Sequence, residues 1–266
     1  MTDLLGTVAM DLHITLASGG MEMPIIAMTR EIGSGGVDVA RGLADACDMN
    51  LIHRELVEHK IAGKLHLRES AVHRYLEGNA NLLERWRLDK KSLARCTADE
   101  IFALAERGNI LIRGWGAAQL LRGVSHVLCV RVCAPMDLRA RRLMERTGIK
   151  AKSKVLKEIR TNDAAHARIV RDLFDLDWEN PLSYDLVINT ERTATNEAIA
   201  LIRNLAGQPS FRETVQSRSK LADLRVKARI HFSTRGVYDS DEAELVHHQR
   251  MKRHEFSKTR EDSELL

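Results

Sequence analysis

The chain has 266 residues, 44% of them apolar and 29% charged, which excludes bulk disorder and a fibrous repeat. Its 41 basic and 37 acidic residues leave a formal charge of +4, too balanced to demand a nucleic-acid partner, so any anion-binding argument must come from local clusters. The length leaves room for one full domain plus an appendage.

Residues 1–22 contain Asp3 and Asp11 but no Lys or Arg, so they lack the positive flank of a secretory signal and are expected to form a flexible arm, with Met21 or Met23 as a second candidate start. No stretch approaches the about 18 consecutive apolar residues of a membrane span, so a cytoplasmic protein without a membrane partner is expected. Pro24 then opens an apolar run over residues 25–28 that reads as a strand. A glycine-bearing turn, Gly33 to Gly36, leads into a helical pattern over residues 37–47 with Val39, Leu43 and Ala46 on one face.

Residues 54–107 show no strand pattern but several amphipathic stretches, which reads as a helical insertion able to cover a substrate. Further apolar runs at residues 109–112, 126–132 and 185–188 read as strands, each followed by a helical pattern. The run from Val127 to Val132 is nearly continuously apolar, as expected of a strand buried on both faces, and Pro135 suits the first turn of the helix after it. Strands alternating with helices predict an α/β fold with a mainly parallel sheet and helices on both faces.

Gly207 and Pro209 mark the end of a domain spanning residues 23–207. In the extension, 208–266, helical spacing over 219–230 (Leu221, Leu224, Ala228) gives way to a highly charged tail from Ser240 that is expected to be poorly ordered. Cys47, Cys96, Cys129 and Cys133 have no C-x-x-C pairing and are expected to be buried free thiols.

A glycine-rich turn between the first strand and the first helix lets backbone N–H groups face a phosphate at the positive end of the helix dipole. A plain tight turn has the same composition; its place after the first buried strand favours the functional reading. Arg139, Arg142 and Arg146 share a helical face and can either clamp phosphates or stay solvated. Lys150, Lys152, Lys154 and Lys157 extend the basic stretch into an expected mobile lid, with Asp163, His166 and Arg171 in the helix behind it. Asp185 and Asn189-Thr190 bracket the last strand, whose carboxyl end faces a nucleotide in open α/β sheets. Asp177 to Pro181 is expected to pin the return of the chain to the sheet.

Thr29-Arg30-Glu31-Ile32-Gly33-Ser34-Gly35-Gly36 resembles the S-R-E-x-G-S-G-G opening of the cytidylate kinase-like family. His53-Arg54-Glu55-Leu56, Gly114-Trp115-Gly116-Ala117 and the strand from Tyr184 to Thr190 resemble later segments of the same family in the same order, and the likeness covers residues 24–206. The resemblance implies a P-loop, adenylate-kinase-like core that uses ATP and Mg2+ to phosphorylate a nucleoside monophosphate such as CMP or dCMP. It places Arg30, Glu31, Gly33, Ser34, Gly35, Gly36, Asn189 and Thr190 on the ATP. The acceptor is expected against His53, Arg54, Arg113, Gly114, Trp115 and Gly116. Arg30, Arg139, Arg142, Asp163 and His166 are expected around the transferring phosphoryl group, with Glu31 or Asp38 helping to hold the metal. The segment from Phe211 resembles the first helix of a BON-like module.

A standard P-loop carries Lys and Ser/Thr where this loop has Gly36 and Val37, so Arg30 is expected to supply the missing charge. His53 stands where the family commonly has Asp, Trp115 where it has Arg, and His166 where it has Arg; a partly charged histidine would stabilise phosphate in a pH-dependent way. Trp115 can pack over the glycine turn or stack on a substrate. These departures keep open a catalytically impaired nucleotide sensor, and a kinase for a non-nucleotide acceptor. No basic-and-aromatic platform for nucleic acid is evident.

Overall fold

The computed structural model describes residues 25–52, 54–76 and 89–233. The expected arm of residues 1–22 and the charged tail from Ser240 lie outside the described residues.

Five parallel strands form one sheet. They are β1 (Ile25–Arg30), β2 (Asn50–Ile52), β3 (Ile110–Arg113), β4 (Val127–Cys133) and β5 (Leu186–Asn189), in the order β2-β3-β1-β4-β5. β1 is central, with Ile26 facing Leu111 on one side and Leu128 on the other. Alternation along β1 divides the core. Ile25 and Ala27 belong to one apolar layer, Ile26 and Met28 to the other, because successive side chains point to opposite faces. Both layers are covered by helices, which is why β1 and β4 read as nearly continuous apolar runs, Arg131 interrupting β4.

The Ile26 face is closed by α1 (Gly36–Ala46) and by a helix over Thr195–Ala206 through Val39, Leu43 and Ile202. Ala40 and Ala44, rather than the expected Ala46, complete the buried stripe of α1, because the buried side of the helix extends about 100° round from Val39 and Leu43, and Ala46 falls at the opposite, exposed edge. The Ile25 face is closed by the insertion, which is helical as expected: α2 (Arg54–Leu65), α3 (Glu69–Leu76) and α4 (Lys90–Ala105). The intervening β2, only three residues long, was not anticipated. α5 (Ala117–Leu121) follows β3, and α6 (Met136–Thr147) follows β4 with Pro135 as its N-cap rather than in its first turn.

The lysine-rich stretch is a short connection that becomes, from Lys152, the 23-residue helix α7 (Lys152–Phe174). Val155 and Ile159 are buried against Ala140 and Leu143 of α6, with Ile32 of the glycine bend at the edge of that cluster, while Lys152, Lys154 and Lys157 stay exposed. The helix Thr195–Ala206 is α8, and the helix expected over 219–230 is longer, α9 (Val215–Ser233). It is capped reciprocally: Ser217 N–H donates to Thr214 Oγ1 and Thr214 N–H to Ser217 Oγ. Leu221 of α9 is buried in the Ile25 layer, with Leu224 and Ala228 packed beside it. Arg225 holds Asp99 of α4 at 3.3 Å and also pairs with Glu106. The segment after Gly207 therefore contributes to the same core.

All four cysteines are free; Cys96 and Cys129 are buried, Cys47 and Cys133 half-buried. Burial pushes the Cys96 and Cys129 thiols up to about 12, which keeps them protonated and inert.

Candidate functional site

The carboxyl ends of β1, β3, β4 and β5 converge on the glycine bend between β1 and α1. Gly33 and Gly35 both have φ of +80°, a conformation that costs an L side chain about 1–2 kcal/mol, so glycine is required at both. A Cβ on Gly33 would sit 2.6 Å from the Arg139 carbonyl oxygen, and one on Gly36 would sit 2.7 Å from Arg30 Cβ. The bend is thus pressed against α6 on one side and the end of β1 on the other. The N–H groups of Gly33, Gly35 and Val37 have no acceptor among the described residues. Amides in this state, at the amino end of a helix, suit an anion.

Besides Arg30 at the end of β1, three arginines surround the bend in different states. Arg139, expected to clamp phosphate, has a side chain only 4% exposed. Its Nε donates to the Ile32 carbonyl at 2.8 Å, its Nη2 to both oxygens of Asp163 at 2.7 and 2.9 Å, and its Nη1 faces Glu31 at 3.3 Å. Arg139 and Asp163, both expected around the transferring group, are therefore bonded to each other as a strut between the bend and α7.

Arg142 differs. It donates to the Ser34 carbonyl at 3.2 Å and to the Oγ1 and carbonyl of Thr190 at 2.9 and 3.0 Å. All three acceptors are neutral, and no carboxylate is paired with it among the described residues, so its positive charge stands uncompensated beside Gly35. Thr190, buried, spends its own hydroxyl on the Ser34 carbonyl at 2.6 Å, while Asn189 is exposed and accepts from the Glu191 N–H. The two residues expected on ATP thus have separate roles, and only Asn189 faces solvent.

The third arginine, Arg131 of β4, was not anticipated as a site residue. Its Nη2 donates to Glu31 Oε1 at 2.9 Å, its Nη1 donates to the Trp178 carbonyl, and its guanidinium lies 4.6 Å from the Trp178 ring centroid. Burial is the largest single influence and opposes its charge, but the hydrogen bond it donates to Glu31 and the attraction of Tyr184 and Glu31 together outweigh this, and its pKa is raised. An arginine in an otherwise apolar buried strand was itself the missed signal, since such a charge needs a carboxylate partner. Glu31 accepts in addition from the Ala134 N–H at 3.2 Å. Both oxygens of this expected metal ligand are bonded, one to a cation and the other to a cation and an amide. Asp38, exposed in the first turn of α1, is the remaining carboxylate of that pair.

His166 of α7 sits edge-on to Trp178, ring centroids 4.6 Å apart, and its Nε2 is buried without a partner. Burial, with Arg30 and Arg131 nearby, pushes its pKa down to about 4. At neutral pH it is uncharged, not the partly charged phosphate ligand expected. Arg30 closes β1 half-buried and already has interactions of its own.

The turn after β3 is built from three successive residues at positive φ, Gly114, Trp115 and Gly116. Its Gly114 N–H donates to the Met28 carbonyl, docking the turn beside β1. Trp115 is 8% exposed and belongs to the apolar layer under the insertion, which favours packing over substrate stacking. A Cβ on Gly116 would meet the Phe174 ring at 2.8 Å, whereas one on Gly114 meets nothing within 4 Å. The turn is therefore open on the Gly114 side, with Arg113, half-buried and engaged, just before it. His53 and the side chain of Arg54 lie outside the described residues.

Trp178 is buried, and Tyr184 donates its hydroxyl to the Trp178 carbonyl. Asp185 accepts from the Cys129 N–H at 2.8 Å and pairs with Arg122 at 2.8 Å, so residues 177–185 do fasten β5 to β4.

A family model described as the cytidylate kinase-like family matches residues 25–192. A cytidylate kinase of Pyrobaculum islandicum is 26% identical over 179 residues, covering 67% of this chain and 90% of that protein. A cytidylate kinase of Sulfurisphaera tokodaii is 27% identical over 179 residues, covering 67% and 92%. The crystal structure of an uncharacterized protein from Eubacterium ventriosum shares the fold, with a TM-score of 0.55 at 22% identity over 69% of this chain and 98% of that one.

Proposed function

The chain belongs to the cytidylate kinase-like family, and on that premise we propose that it transfers the terminal phosphoryl group of ATP to a nucleoside monophosphate, CMP or dCMP being the favoured acceptors. The observation that carries this reading is the glycine bend, whose Gly33, Gly35 and Val37 amides lack acceptors among the described residues at the end of the central strand. Phosphoryl transfer asks mainly for positioning and charge neutralisation. The bend supplies the first, and Arg142 supplies a cation where a standard P-loop lysine is missing. Arg139 and Asp163 act by holding the bend against α7. The Gly114 side of the β3 turn, beside Arg113, receives the acceptor, and β5 leads to the base of ATP through the loop after Asn189. Mg2+, which usually keeps several waters and binds through one or two carboxylates plus phosphates, would neutralise phosphate charge with Asp38 as its protein carboxylate.

The test is an ADP-release assay across nucleoside monophosphates with Mg2+, run beside calorimetry with ATP. Turnover with CMP or dCMP, reduced at least tenfold in Arg142→Met at little cost in melting temperature, is the expected result. Binding of ATP without turnover on any acceptor would instead identify a nucleotide sensor. That second reading draws on the absent lysine and on a His166 that is neutral where the family has arginine. A folded protein that binds neither ATP nor ADP at millimolar levels would refute both.

A further inference from the structure

We propose that Arg131 is a positioning residue: acting through Glu31, it sets the shape of the glycine bend and ties that bend to the segment around Trp178. Its effect on transfer rests on the kinase reading above; its effect on the bend does not. Glu31 and Ile32 open the bend, and the residues around their peptide are gripped from both sides. Arg131 and the Ala134 N–H hold the Glu31 carboxylate at 2.9 and 3.2 Å, and Arg139 holds the Ile32 carbonyl at 2.8 Å. The other Arg131 branch reaches the Trp178 carbonyl, which also accepts from the Tyr184 hydroxyl, itself bonded to Gln119 of α5.

Arg131, Arg139, Glu31 and Asp163 together carry two positive and two negative charges, so this buried frame is electrically neutral. It cannot substitute for the charge of a P-loop lysine. What it can do is hold the amides of the bend in place while Arg142 keeps its charge for a ligand. A buried pair of this kind adds little to stability against an apolar replacement, because desolvation offsets the attraction, but removing one partner leaves the other charge stranded. Loss of Arg131 should therefore loosen the bend locally.

Hydrogen exchange of the full chain, read over residues 31–37, where the Glu31, Ser34 and Gly36 amides are bonded and report on the bend, and over α4, tests this together with ADP calorimetry. In Arg131→Met we expect exchange at 31–37 to quicken at least fivefold with α4 unchanged. ADP affinity should fall about tenfold, which is about 1.4 kcal/mol, while the KM for the acceptor stays put. Arg131→Lys should recover part of both, since an ammonium can reach Glu31 or the Trp178 carbonyl but not hold both in the same fork. Should Arg131→Met fail to fold, Glu31→Gln, which keeps the size of the side chain and removes its charge, must loosen the same residues. Unchanged exchange at 31–37 in either folded variant overturns the proposal. If the wild-type chain binds no ADP, the kinase reading fails on its own, and the exchange data still decide the role of Arg131.

Discussion

Replacing Gly33 by alanine adds one methyl group at the tightest point of the site, and its cost can be worked from two separate contributions. The first is conformational: φ is +80°, and placing alanine there costs about 1–2 kcal/mol. The second is steric. The new Cβ would lie 2.6 Å from the Arg139 carbonyl oxygen and 3.1 Å from the Arg139 Cα and carbonyl carbon, all backbone atoms of α6. That helix cannot retreat without pulling the Arg139 side chain off Glu31, Asp163 and the Ile32 carbonyl, so a typical overpacking cost of about 1–3 kcal/mol applies. The sum is about 2–5 kcal/mol, a fall in Tm of roughly 5–15 °C for a domain of this size. Gly148→Ala is the control: its φ is +72° but a Cβ there meets nothing within 4 Å, so it bears the conformational cost alone. Urea unfolding of both variants, with ADP calorimetry on each, separates the two contributions. If the bend relaxes instead of straining the fold, the cost moves to nucleotide affinity. A Gly33→Ala protein with the stability of Gly148→Ala and undiminished ADP binding would refute the reasoning.

Truncating Leu221 to alanine should destabilise the chain by about 2–5 kcal/mol in urea, because the side chain is 2% exposed within the Ile25 layer; a loss under about 0.5 kcal/mol would mean that α9 is not part of the core. A pH effect follows from His166, whose folded pKa of about 4 lies below its ordinary 6.5. Between those values the unfolded chain takes up a proton that the folded chain refuses, so stability falls as pH drops from 6.5 towards 4 and is fully present above 6.5. His166→Phe should flatten that part of the profile measured by urea unfolding at pH 7 and pH 5, and a profile identical to wild type would remove His166 as its source.

Local pattern was enough for much of the architecture. The apolar runs that became β1, β3, β4 and β5, the helical insertion and the glycine bend all follow from side-chain period and from glycine's access to positive φ, and neither depends on distant residues. Three-residue β2 is too short to show a period, and the spacing of Val39, Leu43 and Ala46 could not show that burial extends to Ala40 and Ala44, about 100° round the helix from Val39 and Leu43. The functional charges were legible as residues but not as partners. Arg131 and Glu31 are one hundred positions apart and meet only because β4 lies beside β1; Arg139 meets Asp163 only because α6 and α7 pack through Leu143, Val155 and Ile159. The sequence by itself determined where a glycine bend must form and which elements flank it. Tertiary structure alone decided that Arg131 and Arg139 are paired with carboxylates and that Arg142 has none among the described residues, since an ion pair depends on distance and burial in three dimensions, and neither is encoded in the spacing of residues along a strand or helix.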